Sequence, residues 1–445
     1  MSPGPSRRLT GMAAEARFFW KRLGANYWFQ PALFSILAFA LAITLVELDR
    51  SGWSDWLGRF RELVPARPDG AASMLSIIAG STIAIASTVF SITIAAVSYA
   101  SGTYGPRLLT NFMEDRGNQY SLATFIATFV YSLTVLRTIR GEDEVAGNAV
   151  DAAADALPGF VPQLSLLVAY GLMALSVAVL VYFLNHIPAS IRINTVIEGI
   201  AERLLLQVEK AYPDCDCGLE PEQADRGVPV NAHANGYVQL IDHDDLEAIA
   251  MEIGTTVSLR LRTGDFVHPG VPVAEVPDEA AAAALERRLD EVLVLGATRT
   301  AEQDPQFLID ELVEIALRAL SPAINDPFTA ITVLHWLSAA LADIGGRDLR
   351  RAAGERRVRP LPDDYGHFVR RSFGAVRSAV ATSPRAALVA FDAIRMAAAP
   401  LESAERKALL REEGDNLIAQ ARLAIDGPDL ADIEKRYARF CEAFA

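Results

Sequence analysis

The chain has 445 residues, of which 51% are apolar, and a formal net charge of −14. Several long apolar runs within such a chain describe a membrane protein with a substantial polar part. The acid excess excludes nucleic acid as a partner, since that binding needs clustered Lys and Arg to displace phosphate counterions; Cys215, Cys217 and Cys441 are too few for a disulfide framework, which makes a reducing compartment the default.

Residues 1–29 form an N-terminal interfacial segment, in which Arg7, Arg8, Arg17, Lys21 and Arg22 mix with Phe18, Phe19, Trp20, Tyr27 and Trp28 as at a cytoplasmic membrane edge. No small-residue cleavage pattern follows the first apolar run, which therefore reads as a retained helix. The transmembrane region covers residues 30–190, with spans near 31–48, 72–99, 120–137 and 160–184. The second span lies within Gly70 to Pro106, thirty-seven residues without a charged side chain. At about 1.5 Å of rise per residue that stretch exceeds a hydrocarbon core of roughly 30 Å.

Within it Ser76, Gly80, Ala84, Ser87, Ser91, Ala95 and Ser98 recur every three or four residues and form one small, mildly polar face. That face suits either close helix packing, with the serines bonded to their own backbone, or a hydroxyl-lined conduit. The breakers of SGTYGPR end the span, and Arg107 to Arg116 reads as a short amphipathic helix in the membrane interface. In the third span Ser121, Thr124, Thr128 and Tyr131 make a polar stripe expected to face protein. The loop from Gly141 to Pro158 holds Glu142, Asp143, Glu144, Asp151 and Asp155 and no Lys or Arg. Asn185, His186 and Pro188 close the fourth span. Four spans place both termini on one side. The five N-terminal cations, against Arg137 and Arg140 after the third span, favour the cytoplasm, although four arginines in the first loop weaken the contrast.

From Ile191 onward nothing reads as long and apolar enough to span, so the remainder is expected to be cytoplasmic: a helical extension and small α+β module over 191–277, then a helical domain over 278–445. Ile197, Ile200, Leu204 and Val208 give Thr195 to Ala211 an amphipathic helical period. Gly236 to Asp242 reads as a strand, DDLEAIAMEIG as a helix, and TTVSLRLRTGDFVHPGVPVAEV as two or three strands. After Asp278 every element reads as helical, with Arg347 to Arg359 as a solvent-facing loop.

In LSPAINDPFTAITVLHW, Asp326 before Pro327 has the pattern of a helix start, and Ser321-Pro322 that of a second one. Ser321, Asn325 and Asp326 are thus either two capped helix starts or a site for an ion or small ligand. Asp242 to Asp245 fits a helix cap better than a metal site, because adjacent ligands diverge, and Cys215 with Cys217 cannot complete a tetrahedral site. No phosphate loop, nucleophile elbow or H-E-x-x-H occurs. The expectation is a non-enzyme with no metal and no cofactor.

SPAINDPFTA, together with FSITIAAVSYASGTYGPRLLTNFMEDR and LATFIATFVYSLTVLRT, resembles a widespread bacterial family of predicted membrane proteins known as a domain of unknown function. The likeness runs from the first span to about Leu341 and implies a four-span membrane part with a cytoplasmic tail. RTGDFVHPGVPVAEV also resembles half of a biotinyl/lipoyl-type β domain. The four lysines, Lys21, Lys210, Lys407 and Lys435, all lie elsewhere, so no covalently held arm follows.

The fold expected is an α-helical membrane protein, four transmembrane helices plus a cytoplasmic, mostly helical α+β domain with a small β module. Its spans hold no ionisable group at mid-membrane depth, which favours a passive role over proton- or ion-driven transport. Four helices are too few for a roomy path, so a conduit would form between subunits. The function expected is a homo-oligomeric, cation-preferring ion channel of the bacterial inner membrane, regulated by its cytoplasmic domain. Its pore would be lined by Ser76, Gly80, Ser87, Ser91 and Ser98, with an outer acidic mouth at Glu142, Asp143 and Glu144. Its partners would be the lipid bilayer, further copies of itself and inorganic cations. The alternative is a membrane-anchored sensor or scaffold that recruits a cytoplasmic partner without conducting.

Overall fold

The computed structural model describes residues 27–53, 67–105, 115–140, 160–212, 227–349 and 357–444. The N-terminal residues up to 26, the interfacial helix expected over 107–116 (all but its last two residues), Glu142, Asp143 and Glu144, and Cys215 with Cys217 lie outside the described residues. Two compact units divide between Arg192 and Ile193.

The first unit is built from α1 (Phe29–Arg50), α2 (Pro68–Tyr104), α3 (Arg116–Leu136) and α4 (Gln163–Ser190). Each is long and apolar enough to cross a membrane. α3 packs against all three others and is the most buried of the four. Its expected polar stripe does face protein: Ser121, Thr128 and Tyr131 are buried and Thr124 half-buried. Small side chains let the others approach it. Ala38, Ala42, Ala71, Ala127 and Ala169 join Leu75, Ile78, Tyr131, Val135 and Leu166 in one apolar layer, and Ala86, Val89, Leu122, Phe125, Phe183 and Ile187 form a second toward the other end. Roughly midway, the Thr128 and Ser176 hydroxyls bond across α3 and α4 at 3.1 Å.

Each end of this unit is closed by a carboxylate. Asp49, buried at the end of α1, accepts from the Leu164 and Ser165 amides (both 3.0 Å) and from Ser165 Oγ (2.8 Å), so a side chain from one helix caps the start of another. Tyr131 donates to the Ser165 carbonyl at 2.9 Å and ties α3 to the same turn. An acid in the last turn of a helix opposes the helix dipole, and Asp49 sits instead at the favourable start of α4. At the opposite end Asp115 caps α3, accepting from Gly117 N (2.8 Å) and Asn118 Nδ2 (3.2 Å), and pairs with His186 Nε2 of α4 at 2.8 Å. A Cβ on Gly117 would lie 2.6 Å from that nitrogen, so glycine is what lets α4 come this close.

The second unit opens with α5 (Ile193–Ala211), whose Ile197, Ile200, Leu204 and Val208 are buried as the period predicts. α5 packs against α9 (Pro305–Ala319) and α10 (Pro327–Ile344). Between them lies a β module. β1 (Val228–Asn231), β5 (Pro272–Val276), β3 (Val257–Leu259) and β7 (Val358–Arg359) form one sheet in that order, parallel only at β3–β7. β4 (Phe266–Val267), β2 (Gly236–Ile241) and β6 (Leu293–Gly296) form a second, antiparallel sheet. The helices α6 (His243–Ile253), α7 (Glu279–Glu286) and α8 (Leu289–Val292) bury their apolar faces in the same core.

Three expectations are corrected here. The stretch after Asp278 is not wholly helical, because LVLG forms β6 and Val358, almost fully buried, adds β7 to β3. The arginine-rich link therefore ends in a strand and not in a solvent-facing loop. α10 is also long and apolar enough to cross a membrane, so the region after Ile191 does hold a helix of that kind. Its apolar residues have another use in this unit, where Val333, Leu334, Leu337, Leu341 and Ile344 are buried. Beyond β7, α11 (Tyr365–Val369), a π-helical turn (Arg370–Gly374), α12 (Ala375–Val380), α13 (Pro384–Ala398), α14 (Ala404–Ala424) and α15 (Gly427–Glu442) complete the unit, with α13 packed on α10 and α15.

Replacing Asp49 by Ala leaves the first amides of α4 without an acceptor. The change should destabilise the first unit by about 1–3 kcal/mol, read as a lower unfolding temperature in detergent, whereas Glu47→Ala, which removes only an exposed pair with Arg50, should leave it nearly unchanged.

Candidate functional site

α2 places the seven small residues on the side of the helix that its own bundle does not use. Buried against the other helices are Leu75, Ile78, Ala79, Thr82, Ala86, Val89, Thr93, Val97 and Ala100. Taking about 100° per residue, Ser76, Gly80, Ala84, Ser87, Ser91, Ala95 and Ser98 centre roughly 150° round the helix from that set, and all seven are exposed. A Cβ on Gly80 would meet nothing within 4 Å. Ile77, Ile83 and Ile94 are exposed along its edges, so it is a narrow strip of small residues in an apolar surface. The outward faces of α1 and α4 differ in kind, carrying Ile36, Leu37 and Phe39, and Leu175, Val177 and Val181.

Ser87 donates to Ile83 O at 3.0 Å and Ser91 to Ser87 O at 2.8 Å. A hydroxyl whose proton is spent on its own helix keeps its oxygen lone pairs, so the strip presents acceptors outward and no free donor from these two residues. No Asp, Glu, Lys or Arg lies in the middle of the four helices. Two features of this unit went unread in the sequence: Asp49 as an interhelix cap and the Asp115–His186 pair. An acid at the end of an apolar helix, against the dipole, is the signal that points to the first. The second depends on chain separation and carries no local signal.

In the second unit Asp326 caps α10, accepting from Phe328 N (3.1 Å), Thr329 N (3.2 Å) and Thr329 Oγ1 (2.6 Å). Ser321 does not start a helix. Its hydroxyl donates to Arg318 O at 2.6 Å, and its carbonyl receives Ile324 N and Asn325 N in a tight turn that closes α9. Asn325 lies in this turn at φ 49°, the one non-glycine residue of positive φ among the described residues. Asp242 likewise caps α6 through Asp245 N at 3.1 Å.

A polar network joins the β module to the helices of this unit. Arg262, between β3 and β4, pairs with the buried Asp363 at 2.6 Å, and Tyr212 donates to the same carboxylate at 2.6 Å. On α9, Asp310 takes two 2.6 Å bonds from Arg371 of the π-helical turn and one from Arg299. Arg299 also pairs with Asp304, which caps α9. Burial pushes the Asp304 carboxyl above the usual range, with Arg299 opposing. Gln306 bridges Arg371 and His367 at 3.2 and 3.3 Å. Burial, and then the charges of Arg371, Arg262 and Arg370, hold the His367 imidazole below its ordinary value.

A bundle of four apolar helices joined to a helical unit with a β module, its charges kept to the bundle ends, defines a multi-pass membrane protein. The chain belongs to the family described as predicted membrane protein (DUF2254), whose model matches residues 24–396. It is 34% identical over 312 residues to the uncharacterized proteins Rv1290c of Mycobacterium tuberculosis and Mb1321c of Mycobacterium bovis, matching 65% of this chain and 56% of each relative. The chain thus spans little more than half the length of these relatives. No solved structure matches it.

His367 gives the second unit a pH dependence of definite sign. Its folded value is depressed, so the unfolded chain binds the extra proton, and the stability it contributes is present above about pH 6.5 and lost as pH falls. Between about pH 7.5 and 5.5, the unfolding temperature of the natural protein should fall further than that of His367→Gln; Asp304 and Glu413, whose raised values act with the opposite sign, are common to both proteins.

Proposed function

We propose that the protein is a homo-oligomeric ion channel of a bacterial inner membrane, cation-preferring, in which α2 helices of neighbouring subunits meet around the conduit. The observation that supports this reading is the outward placement of Ser76, Gly80, Ser87, Ser91 and Ser98. Lipid tails gain nothing from a small, hydroxyl-bearing strip, whereas a second helix can approach it closely. The interior of one subunit is filled by its two apolar layers, so a path belongs between subunits, on a symmetry axis. The acceptor oxygens of Ser87 and Ser91 suit a partly hydrated cation better than an anion. Both termini would be cytoplasmic, Glu142, Asp143 and Glu144 would concentrate cations at the outer mouth, and the second unit would regulate opening. The role is passive, with no catalysis and no cofactor.

A second reading rests on the same serine hydrogen bonds. Hydroxyls folded back on their own helix also make a smooth packing surface, and α2 would then only dimerise a membrane-anchored sensor or scaffold that recruits a cytoplasmic partner. Purified protein in liposomes separates the two. The channel reading expects cation flux that Ser87→Trp or Ser91→Trp abolishes without lowering the amount inserted. Absence of flux across voltage, calcium and pH, with a stable cytoplasmic partner in pull-downs, would establish the scaffold instead.

A further inference from the structure

The second unit exposes a patch that its own core does not explain. Ile324 and Phe328, in the α9–α10 corner, are 42% and 62% exposed, and Leu317 on the last turns of α9 is exposed as well. The patch continues along α10. Phe328, His335 and Ala339 are exposed and Ile331 and Trp336 half-buried, spaced so that they follow one side of the helix. The opposite side is the one buried against α5, α9 and α13.

The corner is held rigid while these residues point outward. Asp326 N donates to Ala319 O at 2.7 Å and the Asp326 carboxylate takes three bonds from the first turn of α10, leaving Asn325 in the left-handed region. A cation crowns the patch: the Arg385 guanidinium lies 5.4 Å above the Phe328 ring, and Arg385 makes no ion pair among the described residues. Arg318 closes α9 with Glu314 3.9 Å away.

We propose that this α9–α10 corner lies in the headgroup layer of an anionic lipid surface, with Ile324 and Phe328 inserted and Arg385 at the phosphates. Two observations select lipid as the occupant. Only Ile191 and Arg192 separate the apolar helix α4 from α5, so the second unit is tethered at the bilayer by two residues. Aromatic and aliphatic side chains beside an arginine with no carboxylate partner among the described residues match an interface whose apolar and anionic layers adjoin. This inference is independent of whether the protein conducts.

The test uses the full chain in liposomes containing anionic phospholipid, with Cys215, Cys217 and Cys441 replaced by Ser. A nitroxide is attached at Ile324→Cys or, as an exposed reference, at Lys435→Cys. Collision with dissolved oxygen relative to a water-soluble nickel complex should be several-fold higher at position 324 than at 435, and adding Arg385→Glu should bring the ratio at 324 down toward the reference. Equal ratios at the two positions, or spin–spin broadening at 324 that marks a neighbouring copy, would overturn the proposal.

Discussion

Inside a bilayer no water meets an unpaired polar group, and that constraint arranges the first unit around α3. Ser121, Thr128 and Tyr131 of α3 are buried, and α3 takes the middle of the bundle where the other three helices cover it. Thr128 bonds Ser176 of α4, and Tyr131 bonds the turn that Asp49 caps. Interhelix polar contacts of this kind contribute about 0.6 kcal/mol on average, which helps to fix register where apolar packing against lipid-like side chains discriminates little. The two carboxylates act at the ends for the same reason. Asp49 and Asp115 satisfy helix starts that would otherwise hold bare amides, and each draws α4 into place.

Once α3 has claimed the inward side of α2, the small strip has only one direction left. The serine hydroxyls of that helix, donated to carbonyls one turn back, explain its chemistry, and the bundle explains its orientation. A strip of acceptor oxygens facing away from the subunit is therefore a consequence of how α3 is satisfied. The second unit is organised on a different device, a chain of guanidinium–carboxylate pairs. Arg262, Asp363, Arg371, Asp310 and Arg299 connect the β module to α9 and the π-helical turn, so that no one of these charges is buried alone.

Much of this was legible in the residues. The four apolar runs, the inward stripe of α3, the strands at Gly236 and Pro272, and the cap at Asp326 all follow from period, length and local hydrogen-bond chemistry. What escaped was non-local. β6 is four residues long and β7 two, too short for alternation to register, and both exist because strands distant in sequence offer partners. The apolar character of α10 is ambiguous between a buried core helix and a membrane span until its neighbours are known. Ser321-Pro322 has the composition of a helix start, yet the chain turns within four residues because Asp326 must reach the carbonyl of Ala319. The Arg371–Asp310, Asp115–His186 and Arg262–Asp363 contacts join residues 61, 71 and 101 positions apart, which no spacing rule reports.

We propose that the outward strip of α2 meets a second copy of itself, and cysteine cross-linking in native membranes tests this most directly. With the three natural cysteines replaced by Ser, Ser87→Cys should yield covalent dimers on mild oxidation, while Val177→Cys, on the outward face of α4, should not. Dimers from Val177→Cys alone, or none from either position, would contradict the account.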